Sequence, residues 1–222
     1  MQTEQLDLRK VAARYVPTKP GEMEVVDIPP FPYLMVDGTG DPETSVAFSA
    51  ALNWLYGVSY RLKFAAKAQG RDFHVGSLEG LWRAEALDDF RAGRRNRWGW
   101  TIMIMQPDFV LADDVAAAVS AISGKLGQPP ATLRLAEYAD GLCAQVLHVG
   151  PFSEEGPVIA QLHGQFLPSQ QLQARGDHHE IYLADPRRVQ PSKMRTVLRQ
   201  PVRRLVQYGA SGQIVDKTAT LA

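Results

Sequence analysis

The residues best able to do chemistry in this 222-residue chain sit in one short segment, His178-His179-Glu180-Ile181-Tyr182. The segment is otherwise apolar and strand-like, so side chains at i and i+2 share a face. His178, Glu180 and Tyr182 therefore point one way and His179 the other. A carboxylate on a pocket wall can hold a cation or take a proton from water. Burial raises its pKa toward that of a useful base. On an exposed strand the same glutamate is merely solvated, paired with Arg187 or Arg188. The pattern by itself leaves both readings open.

Glu79, in Leu-Glu-Gly-Leu-Trp (78–82), is the counterpart of Glu180. Trp82 lies three residues on, which in a regular strand is the opposite face. A bulge at Gly80 would re-aim it. Asn53, Tyr56, Tyr60 and Phe64 make a polar and aromatic stripe at helical spacing. Facing a pocket, Tyr60 donates to a ligand oxygen; facing inward, the stripe is core. Trp98 and Trp100 flank a glycine after Arg94, Arg95 and Arg97. Indoles beside a basic loop suit stacking on a planar ligand, with the loop as a lid. They equally suit packing of the strand that follows.

Other chemistries are disfavoured. The five histidines show no HExxH or comparable ligand spacing, so no metal site is expected. Cys143 is the single cysteine: no internal disulfide, and by its surroundings a small buried hydrophobe. Asp37-Gly-Thr-Gly-Asp41 is a turn, not a dinucleotide fingerprint. No cofactor is expected. Net formal charge is zero, against the basic excess of a general polyanion binder. The basic segment 187–204 reads as a solvated strand edge, and no helix-turn-helix is apparent, so direct nucleic-acid binding is not expected. No secretory-type apolar region and no apolar run of about 20 residues is found, so the default is a cytoplasmic chain without membrane contact.

Elements must position these residues. Residues 1–22 read as a charged arm. Residues 23–28 and 33–38 read as strands, the second ending at Gly38. Asp41 and Pro42 suit a cap and first helical position before a long helix over 45–68, with Phe48, Leu52, Leu55 and Leu62 as its core stripe. Residues 73–85 and 101–109 read as strands, and 111–127 as an alanine-rich helix with Asp113 and Asp114 in its first turn. Pro129 and Pro130 form a connector. Then the order repeats: strands 133–139 and 143–150, a helix over 157–170, strands 178–186 and 195–202.

Side by side, MEVVDI matches LRLAEY, YLMVDGTGDPE matches CAQVLHVGPFSEE, HVGSLEGLW matches HHEIYLADP, and MIMQP matches VLRQP. Four matches in one order indicate a duplicated half-domain, too long in period for a solenoid. The expected fold is α+β: two β-α-β-β units related by a pseudo-twofold axis, antiparallel sheets backed by helices around a central cleft. The expected limits are 23–109 and 131–205 for the repeats, 110–130 for the helix and connector, and 206–222 for a tail, all in one domain.

The segments FPYLMVDGTGDPET, NWLYGVSYRLKF, LEGLW, WTIMIMQPDF, GLCAQVLHVGPFSEEGP, HHEIYLADPRR and RTVLRQPV resemble the GyrI-like small-molecule-binding proteins in their stand-alone form. The resemblance covers roughly residues 5–205. It implies an effector-binding fold whose relatives in transcription regulators sense lipophilic, often cationic drugs through a buried glutamate and aromatic walls. Some stand-alone members imply a hydrolase that opens the cyclopropane of DNA-alkylating natural products with water. On that reading Glu180 is the general base, with Tyr60 and Tyr182 stabilising the phenolate. Glu79, Trp82, Trp100, Tyr56, Asn53 and His178 hold the ligand, a lipophilic aromatic small molecule. The other reading is a non-catalytic module that sequesters such drugs. A monomer or weak homodimer is expected, through an unpaired sheet edge.

Overall fold

The computed structural model describes residues 6–84, 98–185 and 188–205. The basic loop with Arg94, Arg95 and Arg97, the possible ion-pair partner Arg187 and the tail from 206 lie outside the described residues. The elements run β1 (Leu6–Asp7), α1 (Leu8–Ala13), β2 (Met23–Ile28), β3 (Phe31–Thr39), α2 (Val46–Ala68), β4 (Phe73–His74), β5 (Leu78–Ala84) and β6 (Trp98–Met105). They continue with α3 (Ala112–Leu126), β7 (Arg134–Tyr138), β8 (Gly141–Val149), α4 (Glu155–Gln161), α5 (Leu167–Ser169), β9 (Leu172–Ala174), β10 (His178–Tyr182) and β11 (Arg195–Arg204).

One large sheet has the order β2-β8-β11-β10-β5-β6-β3-β7, antiparallel throughout, with β9 added on β11. The order reads the same from either end when each strand is exchanged for its counterpart in the other repeat. The duplication is therefore a property of the fold. The edge strands are exchanged: β2 of the first repeat pairs with β8 of the second, and β7 of the second with β3 of the first. The seam joins β10 to β5, the two strands that carry the candidate glutamates. A separate two-stranded pair, β1 and β4, is parallel. The expected strand over 73–85 is thus two strands that serve different sheets.

The 23-residue helix α2 forms because Ala51, Trp54, Leu55, Val58, Leu62 and Ala66 fall on one face, which is buried against β3 and β6. Truncating Leu55, which is fully buried, is expected to cost about 2–5 kcal/mol. Its cap differs from expectation. Ser45 accepts from the Phe48 amide at 3.2 Å, while Asp41 instead closes a turn by accepting from the Glu43 amide. In α3 the Asp114 side chain accepts from the Leu111 amide at 2.9 Å, the first-turn role its position suggests. The second-repeat helix is broken where α2 is continuous. After α4 the chain widens into a π turn over Leu162–Phe166. A continuing α-helix would drive the Pro168 ring into the Gly164 carbonyl. Among the described residues, no helix is long and apolar enough to cross a membrane.

Candidate functional site

The seam decides which residues meet. β10 and β5 pair without a bulge: His178 opposes Trp82, Glu180 opposes Gly80, and Tyr182 opposes Leu78. Opposed residues share a face, so His178, Glu180, Tyr182, Trp82 and Gly80 lie together. Gly80 has no Cβ for a reason. One built there would stand 3.0 Å from Trp82 Nε1 and 3.1 Å from Cε2, so the indole lies flat across the glycine. That lay brings Trp82 Nε1 to donate to the Tyr182 hydroxyl at 3.2 Å. Tyr182 in turn donates to Glu180 Oε2 at 2.7 Å. The other Glu180 oxygen, Oε1, is 3.6 Å from His178 Nε2.

The electrostatics follow from this packing. Burial pushes the His178 pKa down to about 3, with His163 and His179 adding to the fall, so its ring is neutral. Burial, then the charges of Glu180 and Glu155, hold the Tyr182 hydroxyl well above its ordinary value, so it remains a proton donor. Aromatic rings flank the set. Phe48, from the first turn of α2, stacks on Trp82 at 6.2 Å and meets Trp100 edge-on at 5.0 Å. Trp98 meets Trp82 edge-on at 5.9 Å, and Phe152, just ahead of α4, meets Tyr182 at 5.6 Å.

Several expected site residues lie elsewhere. Trp100 is 1% exposed and fills the space over Gly38, where a Cβ would come within 2.2 Å of its ring. It supports the site from the core and has no exposed face for a ligand. Tyr60 is 47% exposed, and its ring contacts run along its own helix, to Tyr56 and Phe64 at 6.5 Å each. Asn53 is exposed on the same helix. A groove of about 230 Å³ between α2 and α3, lined by Arg61, Leu62, Gln69, Arg71, Phe109 and Asp114, contains none of these residues.

Glu79 departs most from expectation. With no bulge at Gly80, it faces away from Glu180 and opposes Ile181. It is 3% exposed and accepts from the Tyr33 hydroxyl at 3.2 Å and from His179 Nε2 at 3.0 Å. The other His179 nitrogen lies 2.8 Å from Asp140 Oδ2, to which Arg199 Nη1 donates at 3.0 Å. Tyr138 also donates to Asp140, and Arg199 reaches Gln145 and the Tyr15 carbonyl. The network thus ties both sheet halves to the N-terminal arm. Burial alone would lower the His179 pKa, but the Asp140 and Glu79 carboxylates hold it up to about 9. Burial works against ionised Asp140, yet His179 and Arg199 outweigh it and keep that carboxyl well below the usual range. Arg199 is therefore buried, not part of a solvated edge.

The sequence reading missed Asp140, Arg199, Tyr33 and Glu155. Arg199 alone had a clear signal: a charge in the middle of the apolar run Val197-Leu-Arg-Gln-Pro-Val202 needs a buried counter-charge. Cys143 is buried as expected. Among the described residues, no group of three or more His, Cys, Asp or Glu side chains is placed to hold a metal ion.

A palindromic antiparallel sheet with helices α2 and α4 leading from its two halves, and aromatic and carboxylate groups at its seam, defines a small-molecule-binding class. The model of the GyrI-like small molecule binding domain matches residues 21–203, and the chain belongs to that family. It is similar to an uncharacterized conserved protein from Listeria innocua, at 35% identity and TM-score 0.81, over 90% of this chain and 100% of that one. It is also similar to a hydrolase from Listeria innocua, at 34% identity and TM-score 0.78 with the same coverage. The EcmrR C-terminal domain shares the fold, at 12% identity and TM-score 0.53, over 83% of this chain and 98% of that one. No curated protein matches the chain.

Proposed function

We propose that the Trp82–Tyr182–Glu180 face binds a flat, lipophilic, electrophilic ring and adds water to it, as a cofactor-free hydrolase of cyclopropanoid compounds. The observation that carries this reading is the hydrogen-bond chain from Trp82 Nε1 through the Tyr182 hydroxyl to Glu180, set among aromatic rings. The name hydrolase borne by similar proteins from Listeria innocua supports it.

In this mechanism the ring lies against Trp82. Glu180 takes a proton from water as the water oxygen bonds to the cyclopropane methylene. The strained C–C bond breaks, and its electron pair enters the ring and ends on the carbonyl oxygen as a phenolate. Protonation of Glu180 weakens its hold on the Tyr182 hydroxyl, which then donates to the phenolate. Tyr182 is the better placed donor, since Tyr60 is half exposed and stacked along its own helix. The proton taken up by Glu180 passes through solvent to the phenolate, giving the phenol and restoring the carboxylate, so atoms and charge balance. Loss of a general base costs about 10²–10⁴-fold in rate.

The test is incubation with a duocarmycin-type cyclopropanoid, with the ring-opened product followed by mass. More than one equivalent of product, lost in Glu180→Gln with the compound still bound, supports the enzyme. Tight binding of unchanged compound would leave a sequestering module, with Glu180 as a charge anchor and the aromatics as a cage.

A further inference from the structure

On the Glu180 face, one row of residues crosses β10, β11 and β8: Tyr182 opposes Thr196, and Thr196 opposes His148. The corresponding row of the first half is Trp82, Trp100 and Gly38, apolar except for the indole nitrogens. The two matching rows thus differ in character, one apolar and the other polar. Thr196 is 1% exposed, and its Oγ1 makes no hydrogen bond to any described residue. A buried hydroxyl of that kind is ordinarily satisfied by water or ligand. Glu155, in the first turn of α4, is 5% exposed, and Phe152, three residues before it, packs edge-on against Tyr182 at 5.6 Å, which brings this turn to the Tyr182 end of the row. His148 is committed elsewhere, with Nε2 3.3 Å from the Pro151 carbonyl. Glu180 opposes Leu198, which makes Thr196 its diagonal neighbour on the same face, about 7–8 Å away between backbone positions. One water with two hydrogen bonds spans that gap.

We propose that Thr196 and Glu155 form a water-seating pole of the cleft, which holds the attacking water between Thr196 Oγ1 and the Glu155 and Glu180 carboxylates. The inference deepens the hydrolase reading and rests on it for the role of that water. Thr196 fixes the oxygen, Glu155 accepts the hydrogen that stays on it, and Glu180 takes the proton that leaves. A single hydrogen then remains on the oxygen that bonds to carbon, and the lone pair faces the ring.

Two measurements test it. The first is a high-resolution crystal structure of the wild type and of Thr196→Val. An ordered water within about 3.2 Å of Thr196 Oγ1 and in reach of Glu155, absent from the variant, supports the pole. A Thr196 hydroxyl bonded to protein with no water beside it overturns the proposal. The second is turnover of the duocarmycin-type compound. Thr196→Val should lower kcat about 10²-fold with KM unchanged, Thr196→Ser should restore it, and Glu155→Ala should fall at least as far as Thr196→Val. Wild-type kcat in both Thr196→Val and Glu155→Ala overturns the role in water positioning while the hydrolase reading stands. No turnover by the wild type sinks the hydrolase reading, and the crystal structures alone then decide whether the pole exists.

Discussion

Replacing His179 by glutamine is the sharpest test of the buried network behind the site. The imidazolium lies between Glu79 at 3.0 Å and Asp140 at 2.8 Å, and is itself fully buried. Its pKa is raised from 6.5 to about 9, which corresponds to about 3 kcal/mol of stability from the protonated ring. Because the folded-state value is the higher, that stability is complete below pH 6.5 and is lost as pH rises through 9. Glutamine removes the charge between two buried carboxylates and leaves Arg199 paired with Asp140 but not with Glu79, and breaking a buried pair costs about 3–5 kcal/mol. In a chain of this size each kcal/mol lowers Tm by about 2–4 °C, so His179→Gln should lose about 6–20 °C at pH 7. The assay is thermal unfolding by circular dichroism from pH 5.5 to 9.5. The wild type should lose Tm between pH 7 and 9.5, and the variant should be nearly flat there. A variant Tm within 1 °C of wild type at pH 7, or a wild-type alkaline slope retained by the variant, refutes the reasoning.

Asp140 should govern the acid side with the opposite sign. Its folded-state pKa lies below 3.8, so its contribution is present above that value and is lost as pH falls through the lower one; Asp140→Asn should flatten the acid limb of the Tm curve. Gly38→Ala places a methyl within 2.2 Å of the Trp100 ring and should cost about 1–3 kcal/mol or more, read as a shift in the urea midpoint. Trp82→Phe keeps a ring against Phe48 but removes the donor to Tyr182. It should weaken turnover by about 2–12-fold, the worth of one hydrogen bond at 0.5–1.5 kcal/mol, and an unchanged kcat/KM would count against the Trp82–Tyr182–Glu180 chain.

Local signals carried much of the fold into the sequence. The alternation in β10, the periodicity of α2 and the ordered repeat matches are all short-range, and each sets its element and face unaided. Strand pairing is not short-range. Met23 pairs with Val146 and Phe31 with Tyr138, partners more than a hundred residues apart, so nothing near either strand records the exchange of edges. The glutamates show the same boundary. The sequence suggests Glu79 as the counterpart of Glu180, but the pairing that matches Trp82 to Tyr182 matches Gly80 to Glu180 and Glu79 to His179, so the two glutamates lie on opposite faces. One entered a charge network and the other faces the aromatic rings. Only the register, which no single strand encodes, separates those fates. Burial of Trp100 likewise depended on Gly38, a neighbour across the sheet that the sequence marks only as a turn residue.

The exchanged edges reach beyond the site. A chain holding one β-α-β-β unit would carry a first strand with no place in its own sheet, and two such chains trading those strands would rebuild the same eight-strand order. The present chain has the strand order of such a homodimer, with the 110–130 segment joining the two units. During synthesis the exchanged edges impose a delay. β3 cannot gain its outer neighbour until residue 138 has left the ribosome, nor β2 its partner β8 until residue 146 has. Both edge pairings therefore wait for about two thirds of the chain, and folding should be slow for its size because its contacts are so distant in sequence. Separately expressed halves, cut within the connector, should each be insoluble alone and recover the fold when mixed.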